Sequence, residues 1–283
     1  MAELKIVKII NNNIVVSVND EKKEVILLGK GIGFQKNPGA SIDDSKIEKI
    51  FLLSPKTNSR FQELIQQVPT KHIMVASEII SYAKYSLGKE LSEYIYVALT
   101  DHINFAVDRY EKGMEFQNAL LWEIQRFYNH EYEIGKYAVE HIKERLKIQL
   151  PEAEAGFIAL HIVNAELDVP MQETVNMTKM IQKMIQIVKL YFHIELDESS
   201  LDYERFLTHL KFFSQRLLRE QFHDNQNDNL GKIIRLQYPE EYKCAGKIKN
   251  YIYSEYGVEL SEEEMTYLTV HIKRITNKRN TIE

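Results

Sequence analysis

The sequence predicts a multidomain chain in which a small antiparallel β domain is followed by two homologous all-helical bundle domains. A length of 283 residues suits two or three domains. The spacing of apolar residues changes after about residue 55 from short β-type runs to helical periodicity. One helical pattern then occurs twice along the chain. We therefore expect domains over residues 1–56, 66–169 and 171–280.

The β domain is predicted from four short runs rich in Ile and Val, at residues 4–10, 14–18, 24–28 and 46–53. Asn11, Asn12 and Asn13 separate the first two runs and predict a hairpin turn, since Asn tolerates positive φ. A unit of about 55 residues is marginally stable alone. We therefore expect this domain to pair with a second copy in a homodimer.

The helical part begins beyond a polar junction at residues 54–59. Spacing of i, i+3/i+4 and i+7 predicts about five helices between residues 60 and 168, and about five again between 171 and 276. Pro151 is placed for a first helical turn. Capping boxes are predicted at residues 199–202 and 261–264.

The helical pattern is duplicated, with offsets of 107 in its earlier part and 110 in its later part, and a one-residue gap at Gly135, which matches at an offset of 111. A period above 100 residues indicates duplicated domains rather than solenoid repeats. The matched positions pair His102 with His209, Phe105 with Phe212, Arg109 with Arg216, Gly135 with Gly246, Glu154 with Glu264 and His161 with His271.

Composition restricts the class of protein only broadly. The net charge is -5, yet residues 1–55 hold eight Lys and seven acidic residues, a weak asymmetry in the direction expected for an N-terminal nucleic-acid binder. Cys244 is the single cysteine, so no disulfide can form within the chain. Neither a signal pattern nor a membrane-spanning apolar run is present in the sequence, and we expect a soluble cytoplasmic protein without membrane insertion.

Four of the nine histidines occupy matched positions of the duplication: His102, His161, His209 and His271. A His on an apolar helix face is more often a packing residue, and a duplication also inherits packing residues. A titratable residue that recurs on two helices of each domain nevertheless favours a functional role. The other histidines have no counterpart: His72, His130, His141, His193 and His223.

Three chemistries could use such paired histidines. Metal binding is disfavoured because no repeated carboxylate or cysteine is expected to complete three or four ligands, so we expect no metal and no cofactor. Acid–base catalysis needs a substrate pocket, to which nothing recurrent points. Phosphoryl acceptance needs only a neutral, reachable imidazole nitrogen, and the added charge could control association. Arg109 and Arg216 follow the first His of each domain by seven residues, about 10 Å along a helix.

Several segments resemble the BglG/SacY/LicT family of transcriptional antiterminators, closest to those that control β-glucoside use. Residues 8–13 and 29–36 are similar to the family's RNA-binding domain. Residues 99–106 with 154–164 resemble its first regulatory domain, and 208–213 with 267–272 its second. The resemblance covers essentially the whole chain.

The resemblance implies a dimer that binds an imperfect hairpin in a nascent leader mRNA and so prevents the overlapping terminator from forming. The implied RNA-binding residues are Lys8, Asn11, Asn13, Gly29, Lys30, Phe34 and Gln35. Lys30 stands where relatives often carry Arg, which reduces its expected role to phosphate attraction.

The resemblance also implies histidine phosphorylation through the sugar phosphotransferase system rather than enzymatic turnover. The first helical domain would be phosphorylated in dependence on the sugar-specific transporter, which inactivates the protein. The second would be phosphorylated by the histidine phosphocarrier protein, which activates it. The implied acceptors are His102, His161, His209 and His271.

Other interpretations stay open from the residues alone. The chain could be a DNA-binding activator with the same regulatory domains, although a β-type N-terminus disfavours this. It could be a phosphotransfer enzyme that passes the group onward. The Asn11–Asn13 segment could be only a turn, and Phe34 could be a core residue.

Overall fold

The computed structural model describes residues 4–114, 116–219 and 229–277. The chain divides into two compact units, Met1–Met171 and Gln172–Glu283. Within the described residues the first unit contains a four-stranded sheet and six helices, and the second contains five helices. The predicted fold class, a small antiparallel β domain followed by two helical domains, is confirmed.

The sheet is antiparallel, with the strand order β1-β2-β3-β4. The strands are β1 (Ile6–Asn11), β2 (Ile14–Val18), β3 (Glu24–Leu28) and β4 (Lys49–Phe51). The fourth strand is shorter than its run of apolar residues because residues 44–46 form a 3-10 turn, in which Asp43 accepts a hydrogen bond from the backbone N–H of Ser45.

Both faces of the sheet are covered. On one face, Ile14, Val16, Ile26 and Leu28 pack with side chains from beyond the sheet. The alternate residues of the same strands pack under the loop between β3 and β4. This explains the nearly continuous apolar runs of β2 and β3, since a strand buried on both faces loses its alternation. The residues that cover the first face are Leu53, Phe61, Ile65, Val68 and Ile73.

The first helical region starts with α1 (Pro55–Leu64), which carries Phe61 and precedes the duplicated pattern. The duplicated helices of this unit are α2 (Thr70–Leu87), α3 (Ile95–Glu111), α4 (Leu121–Phe127), α5 (Asn129–Leu146) and α6 (Ala153–Leu167). Helix α2 ends at Gly88, whose φ of 61° suits the left-handed cap.

The second unit repeats these five helices, as α7 (Met171–Phe192), α8 (Leu201–Leu218), α9 (Asn229–Gln237), α10 (Pro239–Tyr256) and α11 (Glu262–Thr276). Ser200, one residue after the start of the predicted capping box, caps α8 by accepting from the N–H of Tyr203. Ser261 caps α11 as predicted, by accepting from the N–H of Glu264. His223 and residues 278–280 lie outside the described residues.

Among the described residues, none of the helices has both the length and the apolar character needed to cross a membrane.

Candidate functional sites

In the first helical domain, α3 and α6 run antiparallel and bring His102 and His161 together. Their ring centroids are 4.7 Å apart. Seven residues further along α3 lies Arg109, and seven residues back along α6 lies Glu154. Two antiparallel helices in contact place these pairs at neighbouring levels of one interface.

Arg109 and Glu154 form a buried ion pair in which Nη2 donates to Oε1 at 2.7 Å. The second carboxylate oxygen, Oε2, lies 3.0 Å from Nε2 of His102. The guanidinium of Arg109 also lies over the rings of Phe105 and Phe116, with its carbon 4.8 and 4.6 Å from their centroids. Glu154 therefore joins the arginine to the first histidine.

The second helical domain builds the same arrangement from α8 and α11. The rings of His209 and His271 stack with centroids 4.6 Å apart. Nε and Nη2 of Arg216 both donate to Oε1 of Glu264, at 3.2 and 2.7 Å. The glutamates differ in their contacts: among the described residues, no ion pair joins Glu264 to a histidine.

The two glutamates correct the expectation that no repeated carboxylate accompanies the histidines. Glu154 and Glu264 are matched positions of the duplication, and both are buried. The signal was present in the alignment, but the 261–264 capping box offered another role for Glu264. In the structure its carboxylate pairs with Arg216, and only the serine half of the box forms.

The ring nitrogens are buried in a pattern that is the same in both domains. Nε2 of the first histidine is buried in both domains; that of His102 faces Glu154 at 3.0 Å, whereas that of His209 has no hydrogen-bond partner among the described residues. For the second histidine, His161 or His271, the buried nitrogen without a partner is Nδ1. All four side chains keep some exposure to solvent. The opposite ring nitrogen of each is therefore the one open to a partner molecule.

Burial favours the neutral imidazole at three of these positions. Burial, followed by the charge of His102, holds the pKa of His161 well below its ordinary value. Burial, with smaller effects from His271 and Arg216, lowers the pKa of His209 to about 3. The pKa of His271 is lowered by burial and by Arg274. Neutral rings keep a nitrogen lone pair available as a nucleophile.

At one end of the sheet, the β1–β2 hairpin is joined to the loop that follows β3. The N–H of Asn13 donates to Oδ1 of Asn11 at 2.8 Å, so these residues do form an Asx-type turn. Oδ1 of Asn13 accepts from the N–H of Gly31 at 2.9 Å, and its carbonyl accepts from Gly29 at 2.9 Å. The structure thus brings Asn11, Asn13, Gly29 and the loop that carries Lys30 to one place.

The remaining RNA-binding candidates do not all lie at this end of the sheet. Phe34 is 57% exposed and is not a core residue. Lys30 is exposed, and its backbone N–H donates to Glu48, a carboxylate that sequence reasoning did not associate with this loop. Gln35 is exposed with a φ of 53°. Lys8 is directed instead towards α1, where Nζ donates to Oε1 of Gln62 at 3.4 Å.

Gly29 has a structural requirement of its own. A Cβ at this position would lie 1.7 Å from the carbonyl oxygen of Lys46. Glycine is therefore needed here for packing within the domain, whether or not RNA also approaches.

The structure thus joins a small antiparallel sheet with polar loops at one end to two helical copies that each hold a pair of histidines. The CAT RNA-binding domain model matches residues 4–60, and the PRD domain model matches residues 77–165 and 182–275. The chain belongs to the family of transcription antiterminators that join a CAT RNA-binding domain to two PRD domains.

Two antiterminators match this chain over nearly their whole length. The chain is 47% identical to transcription antiterminator LicT of Bacillus subtilis (strain 168), over 97% of this chain and 100% of LicT. It is 39% identical to the beta-glucoside operon antiterminator of Dickeya chrysanthemi, over 97% and 98% of the two chains. The crystal structure of GlcT CAT-PRDI matches with a TM-score of 0.52 and 37% identity, covering 58% of this chain and 99% of that one.

Proposed function

We propose that this protein is a dimeric antiterminator of a β-glucoside operon, whose binding to a leader mRNA hairpin is controlled by histidine phosphorylation. One observation carries the proposal: the same pair of histidines, with the same nitrogens buried, is built twice in a chain that also has a CAT domain. The name of the Dickeya relative supports the choice of operon. The working domains are residues 1–56, 66–169 and 171–280.

The phosphoryl group would be accepted on Nδ1 of His102 and His209 and on Nε2 of His161 and His271. The opposite nitrogen of each ring is buried. Exposed aromatic side chains one turn beyond the first histidines, Phe105 and Phe212, would contact a protein donor. The family resemblance supports opposite effects of phosphorylation in the two domains. Phosphorylation of the first domain, dependent on the sugar-specific transporter, would inactivate the protein. Phosphorylation of the second domain by the histidine phosphocarrier protein would activate it.

The RNA-binding surface would lie at the end of the sheet that carries Asn11, Asn13, Gly29, Lys30, Phe34 and Gln35, with Lys8 outside this group on the α1 side. An exposed phenyl ring can stack on an unpaired base, and amide groups can contact base edges. Lys30 would attract phosphate groups. The β-type N-terminus and its CAT match disfavour the DNA-binding alternative.

The RNA part is tested by titrating the full chain with a leader hairpin that contains internal loops and with duplex DNA of matching sequence. Loss of stacking predicts at least tenfold weaker hairpin binding for Phe34→Ala. Tyr85→Ala removes another exposed aromatic, on α2, and is the matched control. Sedimentation of the complex gives its stoichiometry. Equal binding of duplex DNA and hairpin, or failure of a panel of leader hairpins, would refute RNA recognition.

The acceptor nitrogens are tested on ¹⁵N-histidine-labelled protein phosphorylated by the phosphocarrier system. Nitrogen chemical shifts distinguish Nδ1-phosphohistidine from the Nε2 isomer, and His→Gln variants assign each signal. We expect the Nδ1 form at His102 and His209 and the Nε2 form at His161 and His271. Detection of the opposite isomers would contradict the assignment while leaving the phosphoacceptor role intact.

A further inference from the structure

A cavity of about 520 Å³ lies where α1, the start of α3 and the end of α6 meet. His161 of α6 forms part of its wall, and Lys56 and Arg60 of α1 form another part. The N–H of Ser92 donates to the carbonyl of Ala165 at 2.8 Å and fixes α3 to α6 at this point. The cavity therefore joins the second histidine of the first helical domain to the helix that covers the sheet.

The cavity favours an anion. Among the described parts of the chain, neither Lys56 nor Arg60 forms an ion pair with a carboxylate. The guanidinium carbon of Arg60 lies 5.6 Å from the centroid of the Tyr94 ring, which orients it at the wall. Asp168 is the one carboxylate among the lining residues, so the two cations exceed the negative charge.

His161 lines this space, and one of its two ring nitrogens is left available for modification. Its Nδ1 is buried without a hydrogen-bond partner among the described residues, which leaves Nε2 as the reactive nitrogen. When a phosphohistidine donor transfers its group, the Nε2 lone pair forms the new N–P bond. The donor's own N–P bond breaks, and its electron pair returns to the donor imidazole. The phosphoryl group then brings close to two negative charges.

We propose that this cavity is a phosphoryl-binding site, in which Lys56 and Arg60 hold the group carried by Nε2 of His161. The inference rests on the phosphoacceptor role proposed above and adds the residues that bind the phosphoryl group. Planar guanidinium and ammonium groups are the usual protein partners of phosphoryl oxygens.

The site connects modification of the helical domain to the sheet. Arg60 is followed directly by Phe61, which is fully buried in the core on one face of the sheet. Helix α1 precedes the duplicated helices, so Lys56 and Arg60 are specific to the first copy. Phosphorylation of His161 would thus act on α1 and on the sheet packed against it.

The experiment uses the full chain treated with phosphoramidate, a small donor that modifies histidine without a protein partner. The ³¹P resonance that is lost in His161→Gln belongs to phospho-His161, and its shift is followed from pH 4.5 to 9. The titratable and charged groups around it are Lys56, Arg60, Tyr94 and Asp168 in the cavity wall, and His102, whose ring centroid lies 4.7 Å from that of His161. The titration is repeated in the double variant Lys56→Gln/Arg60→Gln. Lys71→Gln removes an exposed lysine that does not line the cavity and serves as the control.

We expect the phosphoryl titration midpoint of the double variant to rise by about one pH unit, because nearby cations favour the dianion. The control should titrate like the wild type. Circular dichroism and the unchanged resonances of the other phosphohistidines show that the variant is folded. Equal midpoints in a folded, phosphorylated double variant would overturn the inference and leave the proposed function standing. Absence of any phospho-His161 signal in the wild type would overturn both the acceptor role of His161 and this site.

Discussion

Replacing Arg109 by methionine tests how strongly the buried ion pair with Glu154 holds α3 against α6. Methionine keeps the length and the apolar contact of the side chain but leaves the carboxylate without its cation. The side chain of Arg109 is 11% exposed and that of Glu154 is 4% exposed, so little water can solvate the unpaired carboxylate. Removing one partner of such a pair destabilises a protein by about 3–5 kcal/mol.

The second domain supplies an internal comparison. The side chain of Arg216 is 38% exposed, so solvent screens its pair with Glu264 and reduces the expected effect of Arg216→Met to about 1 kcal/mol. Both domains pair an arginine on one helix with a glutamate on the next, and burial of the pair is the difference on which the two expected magnitudes rest.

Native-state hydrogen exchange of the full chain measures the two domains separately. Peptides of α3 and α6 should exchange about a hundredfold to a few thousandfold faster in Arg109→Met, since about 1.4 kcal/mol is a factor of ten. Peptides of α8 and α11 should change about fivefold in Arg216→Met. The double variant Arg109→Met/Glu154→Leu should recover most of the protection because no buried charge remains. An effect of Arg216→Met equal to that of Arg109→Met would refute the reasoning.

Three further predictions concern packing, pH and capping. Gly29→Ala should destabilise the sheet by at least about 2 kcal/mol in thermal unfolding, because the added Cβ would clash with the Lys46 carbonyl. Gly31→Ala should cost only about 1 kcal/mol, because Gly31 has a φ of 67° but open space around it. Equal losses of stability would contradict the packing argument. The folded second unit keeps His209 neutral down to about pH 3, so its stability should be complete above the ordinary value of 6.5 and fall as the pH falls below it. Exchange of α8 and α11 measured from pH 7.5 to 4.5 checks this, and His209→Gln should flatten the dependence. Ser200→Ala should reduce the free energy of protection at the start of α8 by about 1 kcal/mol, and Ser199→Ala should leave it unchanged. A loss in Ser199→Ala but not in Ser200→Ala would instead support the capping box predicted at residues 199–202.

The strands, the helical duplication and the matched histidines could be predicted because each depends on local spacing. The period of apolar residues places His102 and His161 on helices, but it does not give the crossing of α3 and α6. The ring contact, the bridge through Glu154 and the burial of different nitrogens all depend on that crossing. These features of the site are set by tertiary packing, and local residue patterns do not predict them.

The expectation that the small sheet needs a second copy for stability rested on its size alone. In the structure, side chains beyond residue 56 cover one face of the sheet, which supplies part of the missing core within one chain. The dimer stays a prediction, and its support is now the family resemblance rather than the size of the domain. A fragment that ends at residue 57 would expose this face, which is why the binding experiments use the full chain.

The same covering side chains limit how this family can be recombined. A chimera that takes the RNA-binding part of one relative and the regulatory part of another, joined at residue 56, would pair a sheet with foreign partners for Ile14, Val16 and Ile26. A junction placed after Ile73 would transfer the sheet together with α1 and the first turn of α2, and so keep the fully buried members of that core together, while Met74, Tyr96 and Val97 at its edge would come from the other relative. Inheritance of RNA specificity should therefore follow the first seventy or so residues rather than the sheet alone.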